Sequence, residues 1–303
     1  MAAVPATKPA RPWRRSGSRR RGSQLLGLLL LPPISWLVVF FLVPVVYVGM
    51  YSVGLKTQLI GGETGFTLDR WSDFLSGSVN LGLFWKSVKL ATIVSVLAVV
   101  IAYPIAYALA MMVGRRRYTL VLIVIAPFLT SYLLRILAWK LILGDNGVIN
   151  SLAFSTGVRA NGDPIPQLLF SQFTVVIVLL YAWVPFVVLP IFVVLETVNH
   201  RVLEAAADLG ASRRQTFLRI TLPLSLPGVF AGFIFVFIPT IGEFVTPLLV
   251  GGTSGFMYGN AIRNLFTSSY DWQTGAVLAT FLLLVVVLLI SAVGRFVRTE
   301  ATV

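Results

Sequence analysis

No cysteine occurs in this 303-residue chain, and His200 is its only histidine. Disulfides and thiolate metal sites are excluded, and cysteine usage gives no clue to the redox compartment. A transition-metal site would need carboxylates, which are scattered, and a nucleophilic triad lacks its usual base. Acidic residues are also few, 11 against 24 Lys and Arg. No G-x-x-x-x-G-K-[ST] phosphate loop is present, so the chain is not an ATP-hydrolysing subunit. No internal repeat is visible either. What the sequence has in excess is apolar surface. Hydrophobic residues make up 57% of it, more than a soluble domain of this size can hide, which points to lipid as the solvent.

A membrane-spanning helix needs about 20 mainly apolar residues. Six stretches qualify, at 25–51, 88–112, 119–143, 173–195, 224–250 and 275–293. They are continuously apolar rather than alternating, which argues against a β-barrel. The expected fold is all-α and polytopic, with six transmembrane helices. The net charge of +13 is placed by topology rather than by nucleic acid. Lys8, Arg11, Arg14, Arg15 and Arg19–Arg21 precede span one, and Arg115–Arg117 lie between spans two and three. Arg201, Arg213, Arg214 and Arg219 lie between spans four and five, and Arg295 and Arg298 follow span six. Every second junction is basic, the positive-inside pattern of a multi-pass protein with both termini in the cytoplasm. The apolar run from Leu25 is too long for a cleavable signal peptide and no A-x-A site follows it, so it reads as an uncleaved first span. Residues 1–23 read as a basic tail without stable structure, lying near anionic headgroups, and residues 24–298 as the membrane domain.

The junction from Asn199 to Pro223 differs from the others. It reads NHRVLEAAADLGASRRQTFLRITLP, polar and helical in pattern. Asn199 is a suitable N-cap, with Val198 and Leu203 as a hydrophobic staple. Gly210 is placed to end that helix in the left-handed conformation. Ser212 and Gln215 have capping-box spacing for a second helix, which Pro223 is expected to close. Leu203, Ala206 and Ala207 form an apolar side, with Glu204 and Asp208 one turn apart on another. Elsewhere, Pro32, Pro33, Pro44, Pro104, Pro127, Pro185, Pro190, Pro239 and Pro247 fall in the spans. Such interruptions suit a bundle around a pathway. Residues 53–87 suggest a short interfacial segment, and 144–171 carry a Gly-Asp-Asn-Gly turn and a Pro-Ile-Pro break.

The loop matches the pattern E-A-A-x3-G-x9-I-x-L-P through Glu204, Ala205, Ala206, Gly210, Ile220, Leu222 and Pro223. In this the chain resembles the permease subunits of binding-protein-dependent ABC importers. The resemblance implies a type I importer permease fold, and a coupling helix at 199–223 that docks into a cleft of a cytoplasmic ATPase. It assigns Glu204, Ala205, Ala206, Asp208 and Gly210 to that docking surface. It also implies an ABC ATPase dimer, a second, non-identical permease and an extracytoplasmic solute-binding protein. ATP and Mg would then belong to the partner ATPase, leaving no cofactor in this chain. The location implied is a bacterial inner membrane.

Two further stretches, Leu133–Trp139 continuing into 142–150, and Phe237–Pro247 leading to Gly251 and Gly252, resemble permeases of the spermidine/putrescine type. An ionisable residue in a span is expensive, and Glu243 in span five is a functional candidate by default. A polyamine needs carboxylates for its ammonium groups and aromatic faces for cation–π contact. Tyr132, Arg135 and Trp139 share one helix face, and Tyr181 and Trp183 are further aromatics. Two roles stay open for Glu243: lining the pathway, or bridging two spans through Arg135. Asp145 belongs either to the pathway or to a simple turn. An ion-coupled secondary transporter for a small cation is the alternative, and an ATP requirement for uptake separates it from an ABC permease.

Overall fold

The computed structural model describes residues 29–55, 65–156, 165 and 168–300. The basic tail at 1–23, Pro164 and Pro166 lie outside the described residues. Every regular element among the described residues is helical. The chain divides into two units, at residues 1–50 and 51–303. The first contains nearly all of α1 (Leu29–Ser52), an apolar helix with a π turn at Val38–Leu42.

In the second unit, α2 (Asp69–Ser76) leads into α3 (Ser78–Met111), a helix of 34 residues and roughly 50 Å. Next come α4 (Arg117–Ile125), α5 (Tyr132–Leu143) and α6 (Val148–Ser155). They are followed by α7 (Gln172–Glu196), α8 (His200–Asp208), α9 (Arg213–Thr216) and α10 (Leu222–Ile241). The series ends with α11 (Tyr258–Thr267) and α12 (Trp272–Glu300). Among the described residues five helices are long and apolar enough to cross a membrane, and a sixth crossing results if the bent pair Gly114–Leu129 and Tyr132–Ser155 is one span.

That pair holds the span expected over 119–143, and Pro127, one of its expected interruptions, marks the break. The chain turns by 81° there. Pro127 draws Ala126–Leu129 into a 3₁₀ turn, and Thr130 and Ser131 are extended (ψ 154° and 132°). A proline offers no N–H to continue the ladder, so the helix restarts at Tyr132. Pro104, Pro185, Pro190, Pro227 and Pro239 instead lie within continuous helices. Pro223 does not close its helix as expected. The chain is helical from Arg213 to Ile241, with a π turn at Phe217–Thr221 just before the proline. The wider turn leaves space for the pyrrolidine ring.

The core is built by α3, α7 and α10. Ala98, Ala102 and Ala106 are fully buried and recur every fourth residue, so they form one slender face of α3. Small residues let helices approach closely where lipid provides no hydrophobic drive for association. On α10, Gly228 does the same against α7: a β-carbon there would lie 2.7 Å from the Pro190 carbonyl oxygen. A second core joins α2, α11 and one end of α3 and α12. Phe84 packs edge-on to Tyr258 and Phe281, with centroids 5.4 and 5.1 Å apart. Backbone links reinforce this end. Lys86 Nζ donates to the Phe256 carbonyl (2.9 Å) and the Tyr258 N–H donates to Ser87 Oγ (2.8 Å).

The opposite end gathers the arginine-bearing junctions. Arg117 pairs with Glu196 at 2.7 Å, and the Tyr118 hydroxyl donates to the same carboxylate. One carboxylate thus takes both groups. It ties the start of α4 to the end of α7, so the basic junctions at 113–118 and 199–222 lie at the same end of the bundle.

Candidate functional site

Two places carry the residues expected to function. The first is the loop formed by α8 and α9. Asn199 takes an extended conformation (φ −70°, ψ 117°), and its Oδ1 accepts the Arg201 N–H at 3.0 Å. Four residues on from Leu203 the helix begins to end in a double bond pattern: the Gly210 N–H donates to the Ala207 carbonyl (2.9 Å) and the Ala211 N–H to the Ala206 carbonyl (3.0 Å). Gly210 has φ +83°, which completes a Schellman motif. Ser212 and Gln215 close a reciprocal capping box at 2.8 and 3.3 Å. The local sequence thus satisfies the backbone of two short helices without help from a partner.

Glu204, Ala205, Ala207, Asp208 and Gly210 are exposed, and Leu209 is 89% exposed. Ala206 departs from the rest of its set. It is only 9% exposed and faces its own chain, beside half-buried Leu203 and buried Val198. A bulky residue at 206 would therefore lift α8 from its own bundle rather than clash in a partner's cleft. The apolar side expected at Leu203, Ala206 and Ala207 holds for Leu203 and Ala206 but not for Ala207, which is exposed, and the pattern overlooks Leu209. A crevice of about 310 Å³ beneath the turn is lined by Gly210, Gln215, Arg219 and their neighbours.

The second place is a cavity of about 220 Å³, lined by Phe128, Tyr132, Arg135, Ala182, Trp183, Pro239 and Glu243. It lies where two helices are interrupted. The break at Thr130 and Ser131 brings the start of α5 to one side. On the other, α10 ends at Ile241, and Gly242 and Glu243 fall between it and the next helical turns. Glu243 is therefore not inside a continuous helix, as the span reading implied. Its Oε1 accepts the N–H groups of Val245 (2.8 Å) and Thr246 (3.2 Å), capping the helical turns that follow. The Tyr132 hydroxyl lies 3.2 Å from Glu243 Oε2 and 2.6 Å from Thr246 Oγ1.

Arg135 and Glu243 line the same cavity, yet they do not form the bridge that was one of the two roles considered. No Arg135 nitrogen comes within 4.0 Å of a Glu243 oxygen. The guanidinium lies over the rings of Phe128 (4.8 Å) and Tyr132 (5.7 Å). Trp139 and Asp145 are not brought to the cavity. Trp139 packs edge-on to Tyr181 at 5.6 Å, and Asp145 is exposed in the turn after α5. Phe128 lines it and was not foreseen, whereas Pro239, expected to interrupt span five beside Glu243, lines it from within α10. Pro127, just before Phe128, was the available signal, because a break there redirects the aromatic residues that follow it, Phe128 and Tyr132. Among the described residues no group of His, Asp and Glu is arranged to hold a metal ion.

Comparison with known proteins decides the family. Residues 102–299 match the family described as binding-protein-dependent transport system inner membrane component. The chain belongs to this family. It is 32% identical to the spermidine/putrescine transport system permease protein PotB of Escherichia coli K12, over 88% of this chain and 95% of that one. Identity is also 32% to PotB of Haemophilus influenzae, over 84% and 88% of the two chains. The inner membrane ABC transporter permease protein YdcU of E. coli is 31% identical over 90% of this chain and 88% of its own. In fold, the chain resembles a bacterial ABC transporter involved in import of the acidic polysaccharide alginate. The TM-score is 0.67 at 17% identity, over 92% of this chain and 96% of that one. The chain is thus a multi-pass inner-membrane permease subunit of an ABC importer, and not itself an enzyme.

Proposed function

We propose that this permease forms half of the translocation pathway for a small organic amine of the polyamine class. The loop at 199–223 engages one subunit of a cytoplasmic ABC ATPase dimer, which supplies the ATP and Mg chemistry. A second, non-identical permease and an extracytoplasmic solute-binding protein complete the assembly. Both termini and the junctions at 113–118 and 199–222 face the cytoplasm, and 24–298 is the functional domain. Glu204, Ala205, Asp208 and Leu209 present the docking surface, while Gly210 sets its shape and Ala206 seats it on the bundle.

The observation that carries the solute class is Glu243. It is a carboxylate in an aromatic-walled cavity, with no ion pair, in a chain about one-third identical to spermidine/putrescine permeases over most of its length. Tyr132 and Trp183 provide π faces near it, which suits an ammonium group. Trp139 and Asp145 belong to the outer approach rather than to the cavity itself. The test is uptake into vesicles bearing the reconstituted complex with its binding protein. Spermidine or putrescine should enter only with ATP inside and should stimulate hydrolysis, whereas sulfate should do neither. Amine uptake without ATP, or stimulation by sulfate and not by amines, would overturn the reading.

A further inference from the structure

The cavity holds more than the amine reading uses. Arg135 is 7% exposed, its buried Nε has no hydrogen-bond partner, and its guanidinium forms no ion pair among the described residues. On the facing helix, Trp183 Nε1 is buried and also has no acceptor. Both residues line the same space. Arg and the Trp indole are donors only. A buried donor left without an acceptor costs free energy, most of all when it carries charge. Stacking on Phe128 and Tyr132 stabilises the guanidinium charge but satisfies none of its N–H groups.

Glu243 is the nearest carboxylate lining this space, and it is largely occupied. A carboxylate offers about four lone-pair positions. The Val245 and Thr246 N–H groups and the Tyr132 hydroxyl fill three of them. One position and the negative charge remain. The cavity thus presents one place for a single ammonium and, apart from it, two donors in need of oxygen.

We infer that the Arg135–Trp183 side of the cavity is a subsite for an oxygen acceptor, so the preferred solute carries an ammonium at one end and a carboxylate at the other. The inference rests on the reading of Glu243 as an ammonium site and departs from the polyamine class in the solute's second group. A bare diamine would place its second ammonium against the Arg135 guanidinium, two like charges in one cavity of about 220 Å³. A carboxylate in the same position accepts from the planar guanidinium fork and from the indole N–H.

Equilibrium binding to the whole complex in nanodiscs, without the binding protein, tests the cavity alone. The probes are putrescine and 4-aminobutyrate, two short amines that differ in having a second ammonium or a carboxylate. The wild type should bind 4-aminobutyrate at least tenfold more tightly than putrescine. Arg135→Gln should abolish the preference, weakening 4-aminobutyrate at least tenfold and leaving putrescine unchanged or tighter. Trp183→Phe keeps the ring and removes only the N–H. It should weaken 4-aminobutyrate severalfold more than putrescine, and it carries the test if Arg135→Gln does not assemble. Equal affinity of the wild type for both solutes overturns the subsite but leaves the amine reading standing, as does equal weakening of both by Trp183→Phe. If neither solute binds, the amine reading fails and the subsite fails with it.

Discussion

Substitution at Gly210 isolates a torsional cost, because the structure removes the steric one. The backbone has φ +83°, and a β-carbon built there meets no atom within 4 Å. Any penalty for alanine must then come from holding an L-residue in the left-handed region, about 1–2 kcal/mol. That is roughly a 5- to 30-fold loss in the fraction of loops that keep the Schellman turn. Asparagine tolerates the region better and should lose less, while β-branched valine should lose more. The turn directs the chain from α8 to α9 and leaves Leu209 exposed, so its loss should appear as weaker ATPase binding. The assay is titration of purified ATPase onto the permease in nanodiscs, with permease abundance checked. The expected order of affinity is Gly210, then Asn, Ala and Val, with Ala roughly tenfold below wild type. If Gly210→Val binds the ATPase as the wild type does, the left-handed turn does not shape the docking surface. If Asn is as poor as Val, the cost is steric and comes from the partner.

Leu209→Ser should weaken ATPase co-purification without lowering permease abundance, because the side chain has almost no contact with its own chain. Glu243→Gln should leave the complex assembled and hydrolysing ATP but reduce amine uptake at least tenfold, and adding Arg135→Gln should not restore it, since no bridge links the two. Gly228→Val should reduce thermal stability by several degrees in a fluorescence melt, because its β-carbon would strike the Pro190 carbonyl and overpacking typically costs about 1–3 kcal/mol. Cysteine placed at Ser212 of this cysteine-free chain should resist an impermeant reagent added outside intact cells, and labelling there would reverse the proposed orientation.

The sequence was most legible where local rules suffice. Asn199, Gly210 and the Ser212–Gln215 box each act within a few residues, and each takes the conformation its chemistry dictates. Span positions followed from apolar run length for the same reason. Legibility ended where the outcome depends on packing between helices. Helical spacing put Ala206 and Ala207 on one apolar side, but only packing decides that Ala206 is buried and Ala207 exposed. A proline in a span announces a possible break, but only the surroundings decide it. Pro185 and Pro190 stay within one helix, while Pro127 is followed by an 81° turn. Arg135 and Glu243, more than 100 residues apart, could be placed in one cavity by inference but not given their separation. That separation is what removes the bridge.

The two helix breaks and the cavity are one feature rather than two. At membrane depth an interrupted helix exposes N–H groups that lipid cannot satisfy, so a break is tolerated only where side chains or a polar space satisfy them. After α10, Glu243 does this by accepting the Val245 and Thr246 N–H groups. Across the cavity, Tyr132 opens α5 directly after the other break and reaches both Glu243 and Thr246. Each break therefore supplies a group that steadies the other. The carboxylate that caps the backbone is held in one orientation, with its charge still uncompensated by any cation of the described chain. A glutamine at 243 would keep the capping oxygen and so preserve the break, while losing the charge. An alanine would lose both and leave two N–H groups without acceptors, at about 1–3 kcal/mol each if they stay buried. Glu243→Ala should consequently lower stability in a melt where Glu243→Gln does not. Equal loss of uptake at wild-type stability in both variants would show that the carboxylate serves the pathway alone and that the break is held by something else.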